Sequence, residues 1–216
     1  DGNPVYHVNH LLGFFSAFNP DAIKNTRFYK GSFPAEYGGR LSSVVDVRMN
    51  DGNRQEYHGN ISVGLLSARA NLEGPIVKDR SSFNVSVRRT WLDLITGTAL
   101  AIINKNSDTK ESFGYHFFDI NAKVNHSFSE RSRAYLSFYM GQDAFRQGSK
   151  EKHEDSDDMF LWRWGNLIGS AGWNYVFGQK LFGNLMVGYS RFRSHIRQEA
   201  KGYEIEGNRE ERQSIK

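Results

Sequence analysis

Residues 23–49, IKNTRFYKGSFPAEYGGRLSSVVDVRM, decide the fold of this chain. Their pattern predicts a short strand at residues 27–29, a compact loop, and a second strand at residues 43–49. Pro34 fixes one backbone dihedral angle in the loop, and Gly38 and Gly39 permit conformations that other residues avoid. The sequence therefore dictates the path of this loop, which is not a flexible connector.

The same stretch carries a spaced set of residues that points to a receptor family. The set consists of Ile23, Phe28, Lys30, Gly31, Ala35, Tyr37, Gly38 and residues 44–47 (VVDV). It resembles the end of the plug domain in TonB-dependent outer-membrane receptors, and residues 1–5 (DGNPV) are similar to the family's "DG.PV" strand just upstream. Arg40 and residues 41–44 (LSSV) depart from the commonest pattern and look like the variant of Bacteroidetes receptors. The resemblance covers residues 1–53.

The composition favours an antiparallel β protein. Aromatic residues make up 14% of the 216 residues, there are 21 glycines, and cysteine is absent. Many turns and girdles of aromatic side chains are typical of β-barrels. The 28 basic and 24 acidic residues are mixed along the chain. Because a nucleic-acid interface needs clustered basic residues, we expect no nucleic-acid partner.

From residue 56 onward, apolar and polar residues alternate with a period of two, which is typical of strands with one buried face. Seven such strands are predicted. The clearest alternation places Phe118, Ile120, Ala122, Val124 and Phe128 on one face and Asp119, Asn121, Lys123, Asn125 and Ser127 on the other. Ala134, Leu136, Phe138 and Met140 continue the apolar pattern on the next strand.

The predicted connections are unequal in length. Those at residues 77–80, 129–132 and 178–180 are short and polar, whereas residues 92–114, 144–159 and 202–216 predict long loops at the opposite end. Residues 92–103 (LDLITGTALAII) are too short to span a membrane and predict a buried or loop helix. This asymmetry is typical of an outer-membrane barrel, although single strands of a soluble β-sandwich alternate in the same way. Aromatic residues near strand ends favour the barrel, since girdles form there: Trp91, Tyr115, Trp162, Trp164 and Phe177.

Seven is an odd number of strands, whereas bacterial single-chain barrels have even numbers and plugged ones have about 22. We therefore expect a mainly all-β fold with two parts. Residues 1–53 are assigned to the C-terminal part of a plug domain, with short strands and a short helix. Residues 54–216 are assigned to the N-terminal strands of an antiparallel, up-and-down transmembrane β-barrel. The upstream half of the plug and its TonB-contacting segment are expected to lie outside these 216 residues.

The predicted binding residues lie in the plug-like part. Residues 5–8 predict a short strand, and residues 9–19 predict a short helix or a compact loop with Asn9 as a possible N-cap. In the receptor family, the plug apex after the "DG.PV" strand helps to form the floor of the ligand site. The resemblance therefore implies that Tyr6, His7, Asn9, His10, Phe14 and Phe15 bind ligand. The alternative is that the apolar members pack the core of the plug itself.

Basic plug residues of the family pair with carboxylates on the inner barrel wall. This implies plug–barrel contacts for Arg27, Lys30 and Arg40, the alternative being that their side chains are solvated.

No pattern of catalytic residues emerges, so an enzyme is not expected. Residues 188–192 (GYSRF) lack the second glycine of a nucleophile elbow. The acidic run at residues 151–158 offers oxygen ligands for a divalent cation but lacks the glycine-spaced pattern of a calcium loop. We therefore expect neither a metal nor a cofactor.

The resemblance implies a function in the cell outer membrane, namely TonB-dependent active transport of a ligand in which the plug gates the barrel. The implied partners are a TonB-type energy-coupling protein, outer-membrane lipid, a possible surface lipoprotein, and a small-molecule, glycan or peptide ligand. Two alternatives stay open: a passive porin-like or adhesive outer-membrane β-barrel, and a soluble β-sheet binding module.

Overall fold

The computed structural model describes residues 1–39, 42–151, 157–200, 203–206 and 210–215. These residues form two small antiparallel sheets near the start of the chain and one large antiparallel sheet after them. The predicted mainly-β, antiparallel class is confirmed.

The N-terminal segment, residues 1–53, contains two pairs of short strands. β1 (Asn9–His10) and β2 (Phe15–Ser16) pair around a 3-10 turn at Leu11–Gly13, and β3 (Ile23–Tyr29) pairs with β4 (Val44–Met49). The strands predicted at residues 27–29 and 43–49 are thus confirmed.

For residues 9–19 the loop alternative is confirmed, whereas the expected Asn9 cap and the strand expected at residues 5–8 are wrong. Residues 9–19 form the compact loop and not the helix, because Gly13 has φ +107°, which no α-helix contains. Asn9 caps no helix, since His10 precedes the 3-10 turn and its side chain makes no capping bond. Residues 5–8 form no strand, and the backbone of His7 bonds instead to the side chain of Asn166.

The large sheet contains seven strands that follow one another in sequence order, each antiparallel to the next. These are β5 (His58–Val63), β6 (Ser67–Val77), β7 (Ser81–Thr90), β8 (Thr109–Ser129), β9 (Ser132–Glu151), β10 (Asp157–Val176) and β11 (Phe182–Ala200). The seven predicted strands and their order are confirmed, and two further short strands extend the described sheet. The short connections predicted at residues 77–80, 129–132 and 178–180 all join consecutive strands.

All three predicted long loops contain paired strand residues instead. Residues 109–114 of the loop expected at 92–114 begin β8 and pair with β9. β12 (Tyr203–Glu206) and β13 (Glu210–Ile215) both pair with the free edge of β11, within the loop expected at residues 202–216. Residues 144–159 were also expected to form a loop, but residues 144–151 belong to β9 and residues 157–159 to β10. These two strands remain paired as far as Asp157 opposite Lys150. Polar side chains hide the period-two signal there, although the backbones still pair. Residues 152–156 of the acidic run lie outside the described residues.

One α-helix, α1 (Leu92–Ile103), connects β7 to β8 in the part of the chain that the structure describes. β7 pairs with β8 only as far as Phe118, so on this edge residues 109–117 of β8 have no strand neighbour among the described residues. α1 and the turn after it cover this edge: Thr96 Oγ1 donates to Phe113 O at 3.0 Å, and the Asn104 amide bonds to both backbone groups of Glu111. The predicted helix is confirmed, but none of its residues is buried. Its 12 residues are too few for a membrane-spanning helix, and the described residues offer no other candidate.

The large sheet has two chemically different faces. The inner face, which the N-terminal segment covers, is polar: Asp119, Asn121, Lys123, Asn125 and Asp143 are each at most 6% exposed. The outer face is apolar and uncovered, with Ile61 80%, Leu136 64% and Val187 56% exposed. The predicted separation of polar and apolar residues is confirmed, and the polar set is the buried one.

An aromatic cluster interrupts the polar inner face. Tyr115, Phe117 and Trp164 are buried there, in contact with Leu11 and Phe15 of the N-terminal segment. The expectation that Tyr115 and Trp164 belong to a girdle near the strand ends is wrong. Tyr115 lies an even number of residues from Asp119 on β8, and Trp164 lies two residues from Asn166 on β10. Both rings are therefore on the inner face and point toward the N-terminal segment.

Candidate functional site

The contact between the N-terminal segment and the inner face is the candidate functional site. It consists of three groups of polar interactions, each joining residues far apart in sequence. The first lies at the β1–β2 hairpin, the second at residues 49–53, and the third at residues 3–7.

His10 is at the centre of the first group. Its Nε2 lies 2.8 Å from Asp119 Oδ1 and its Nδ1 lies 2.7 Å from Asp143 Oδ2, while its ring stacks on Phe117 with centroids 4.1 Å apart. Ionised carboxylates only accept hydrogen bonds, so two such contacts require both ring nitrogens to carry hydrogen. Burial disfavours the charged ring, but the bonds to Asp119 and Asp143 outweigh it and raise the pKa of His10. His10 is therefore an imidazolium held between two carboxylates.

Arg88 completes the charge balance of this group. Its Nε and Nη2 atoms lie 2.8 and 2.5 Å from Asp119 Oδ2, and Nη2 also donates to Ser16 O at 2.7 Å. The guanidinium carbon lies 5.0 Å from the centre of the Phe117 ring. Two buried carboxylates thus face two buried cations, and one of those cations comes from the N-terminal segment.

Two tyrosines attach the hairpin backbone to the same carboxylates. Tyr115 bonds to Asp143 and its hydroxyl accepts from Leu11 N at 2.6 Å. The Tyr139 hydroxyl lies 3.2 Å from Ala17 O and 3.3 Å from Asp119 Oδ1. Gly141 provides the room for this arrangement, because a Cβ atom there would overlap both the Tyr139 hydroxyl and Asp119 Oδ1.

The second group holds the end of the N-terminal segment to the inner face. Carboxylate oxygens of Asp51 lie 2.7 Å from Lys24 Nζ, 3.0 Å from Lys123 Nζ and 3.0 Å from an Arg133 guanidinium nitrogen. Burial alone would raise the pKa of Asp51, but these three cations outweigh it and hold the pKa well below its usual range. Ser82 Oγ and Asn125 Nδ2 donate to the backbone oxygen of the same residue.

The third group aligns residues 3–7 with β10 and β11. The Asn166 side chain accepts from His7 N at 3.3 Å and donates to His7 O at 2.7 Å, so it pairs with the backbone as a neighbouring strand would. Ser190 Oγ donates to Pro4 O at 2.6 Å, and the Asn3 side chain bonds to Ser170. Asn3 packs directly over Gly188, where any side chain would collide with it.

A cavity of about 790 Å³ lies beside these contacts, between the N-terminal segment and β8–β10. Its lining is mixed and includes Phe18, Tyr37, Asp46, Asn121, Ser137 and Ser170. None of the six predicted ligand-binding residues belongs to this lining.

The structure separates the predicted ligand-binding residues by environment. Phe14 is 84% exposed, Asn9 is exposed, and Tyr6 is half-buried. His7 is also half-buried, stacks on Phe192, and has its pKa lowered by burial. Phe15 and His10 contact the inner-face aromatic cluster, so both are occupied by the attachment of the hairpin. Ligand binding by the accessible members, Tyr6, His7, Asn9 and Phe14, stays a prediction.

The ion pairs in the structure involve other residues than those predicted. Arg27 and Lys30 are exposed, and neither takes part in an ion pair among the described residues; Arg40 lies outside them. The ion pairs to the sheet come from Asp1, His10, Asp21 and Asp51 of the N-terminal segment. Sequence analysis missed the inner-face partners Arg88, Asp119, Lys123 and Asp143. The available signal was the alternation itself: each of the four is a charged residue at a position that faces the polar side of its strand.

Comparisons with protein-family models, with curated proteins and with solved structures each found no match for this chain.

Proposed function

We propose that this chain is part of a TonB-dependent outer-membrane transporter, in which residues 1–53 belong to the plug and residues 54–216 to the barrel wall. One observation carries the proposal: the large sheet buries its polar face and exposes its apolar face. Water-soluble antiparallel sheets do the reverse, with the apolar face on the core and the polar face in water. A bilayer around the sheet removes the contradiction.

The dimensions of the apolar surface support the same proposal. On β8 the outer face is apolar from Phe118 to Phe128, with His126 as the exception. Ten residues that rise about 3.3 Å each, on a strand tilted by about 40°, cover about 25 Å of height, which is the height of the apolar band of an outer-membrane barrel. A strand twice this length, such as β8, projects beyond the bilayer.

The chemistry of the candidate site supports a gating role for the plug. The N-terminal segment is held by ion pairs and polar hydrogen bonds such as His10–Asp119 and Asp51–Lys123, together with one small aromatic cluster. When two polar groups separate, water takes the place of each lost partner, so separation costs little. Separated apolar surfaces gain no such hydrogen bonds from water. A plug that must move under energy from a TonB-type protein and return needs such an interface. The transported ligand, and a surface lipoprotein that would deliver it, belong to the proposal.

Conductance in planar bilayers tests the proposal. The full protein that contains this chain should insert and stay closed, because the plug fills the lumen. The same protein without residues 1–53 and without the part of the plug that precedes them should insert and conduct. A control variant with Phe14→Ala, which changes an 84% exposed side chain, should stay closed.

Two other outcomes contradict the proposal. Steady conductance of the intact protein would identify a passive porin-like barrel. Failure of both proteins to associate with bilayers, together with good solubility in water, would identify a soluble binding module.

A further inference from the structure

At the end of the large sheet where α1 lies beside the β5–β6 turn, an apolar surface is exposed that the proposed transport function does not use. We call this end the upper end of the sheet. We define the rim patch as Leu65, Trp91 and four residues of α1: Leu94, Ile95, Ile102 and Ile103. We propose that the rim patch lies in the acyl-chain region of the outer membrane leaflet, so that α1 is an interfacial anchor of the barrel wall. The inference rests on the proposed membrane location.

The composition of α1 excludes an ordinary surface helix. Residues 94–103 contain no charged residue, and Leu94, Ile95, Ile102 and Ile103 are 46–72% exposed. A helix on the surface of a water-soluble protein has charged and polar residues on its exposed side. A helix that is apolar all round requires a covering, and no residue of α1 is buried by the described residues.

The position of α1 matches the upper boundary of the apolar band. Asp93 Oδ2 lies 2.9 Å from Arg89 Nη2 and 3.4 Å from His116 Nδ1, which attaches the start of the helix to outer-face side chains. Arg89 is opposite Phe118 in the ladder, and Phe118 is the uppermost apolar outer-face residue of β8. The helix thus starts at the height where the outer face changes from apolar to charged.

On the β5 side the rim patch continues into the apolar outer face, whereas Arg89 and His116 interrupt it on β7 and β8. Trp91 Nε1 donates to Leu65 O at 2.7 Å, which joins α1 to the β5–β6 turn. Below that turn, Val63 and Ile61 of β5 are 74% and 80% exposed. Tryptophan is enriched at the membrane–water interface, where its ring is in the apolar region and its N–H has a polar partner.

The residues after α1 return to polar character. Lys105 is the second residue after α1 and is exposed, as are Asn106 and Lys110. A short apolar helix with a lysine in the turn that follows it suits a headgroup boundary, where the lysine reaches phosphate while the apolar side chains reach acyl chains. Continuity with the outer face, the boundary height and this polarity change together favour lipid over a protein partner.

Spin-label accessibility tests the inference. Ile102→Cys, Val124→Cys and Lys105→Cys are prepared in the full protein on a cysteine-free background, labelled with a nitroxide and reconstituted into phosphatidylcholine vesicles. Collisions with oxygen, which concentrates in lipid, are compared with collisions with a water-soluble nickel complex. We expect the ratio of oxygen collisions to nickel collisions to be highest at Val124. At Ile102 the ratio should be lower but still severalfold above the value for a label in water, and at Lys105 it should equal that value.

The three positions separate failure of this inference from failure of the proposed function. An aqueous ratio at Ile102 with a lipid ratio at Val124 overturns the anchor and leaves the membrane location intact. Low accessibility to both reagents at Ile102 means that protein covers the helix, which also overturns it. Aqueous ratios at both Ile102 and Val124 overturn the anchor and the membrane location together.

Discussion

At the scale of residues, the N-terminal segment is attached by charges that balance only in combination. Asp119 is the shared partner, since it faces Arg88, His10 and the Tyr139 hydroxyl. A buried ion pair adds little net stability, because desolvation offsets the attraction, but removal of one partner leaves an uncompensated charge. The network therefore specifies where the hairpin docks more than it adds to the free energy of unfolding.

Asp119→Ala should destabilise the full protein by about 3–5 kcal/mol, because it leaves the Arg88 guanidinium buried without a carboxylate. The free energy of unfolding from urea titration measures the effect. Glu130→Ala, in the exposed turn between β8 and β9, is the matched control and should change it by less than about 0.5 kcal/mol. Arg88→Met combined with Asp119→Ala should recover part of the loss. A double variant as unstable as the single one would show that the buried charge is not the cause.

Docking of the N-terminal segment should weaken as the pH rises. The pKa of His10 is raised above its ordinary value of 6.5, so the charged ring stabilises the docked state. This contribution is complete below pH 6.5 and is lost as the pH rises through the raised pKa. The groups facing the ring are the carboxylates of Asp119 and Asp143, with Arg88 and two tyrosine hydroxyls beside them.

The measurement is the urea midpoint for undocking, reported by a fluorophore at the exposed position Phe14→Cys, between about pH 6 and pH 9. The midpoint should fall with rising pH in the unmodified protein and stay nearly flat in His10→Gln. His7→Gln is the control, since burial lowers the pKa of His7 and its titration lies at the acid side. A fall in His10→Gln equal to that of the unmodified protein would exclude His10 as the titrating group.

At the scale of elements, alternation along β8 and β9 predicted the strands and both faces, because a strand places successive side chains on opposite sides. Alternation does not show which face is covered, so the docking of His10 onto Asp119 and Asp143 could not be predicted. The extensions of β9 and β10 were also missed. Arg146, Gln147 and Lys150 give β9 polar side chains on both faces there, which hides the alternation, although the backbones of β9 and β10 still pair.

Neighbouring positions on β9 test the two faces directly. Leu136→Arg places a charge on the outer face, where the Leu136 side chain is 64% exposed and, under our proposal, contacts lipid. This change should lower the free energy of unfolding by about 2–4 kcal/mol near the bilayer midplane. Ser137→Arg places the same charge beside the 790 Å³ cavity on the inner face and should cost much less. The free energy of unfolding in phosphatidylcholine vesicles measures both. Equal costs would remove the distinction between a lipid face and a lumen face.

At the scale of the whole molecule, the large sheet is open. Among the described strands, β5 pairs only with β6, so its other edge presents unpaired backbone groups, and the opposite end of the sheet is formed by β12 and β13 along β11. An open sheet cannot span a bilayer, because lipid offers no partner for backbone N–H and C=O groups. Under the proposed function, further strands must therefore close the sheet into a barrel.

Residues 1–216 produced alone should not form a pore. The free edge of β5 and the uncovered outer face should make them associate, since unpaired edges recruit other strands. Sedimentation in mild detergent should show oligomers, and planar bilayers should show no steady conductance.

Asn60→Pro, which places a proline on the edge strand β5, should reduce association if the edge causes it. Leu136→Ser, which changes only the outer face, is the comparison and should leave edge pairing intact. A monomer that conducts steadily would mean that these strands close by themselves, and the assignment to a larger barrel would be wrong.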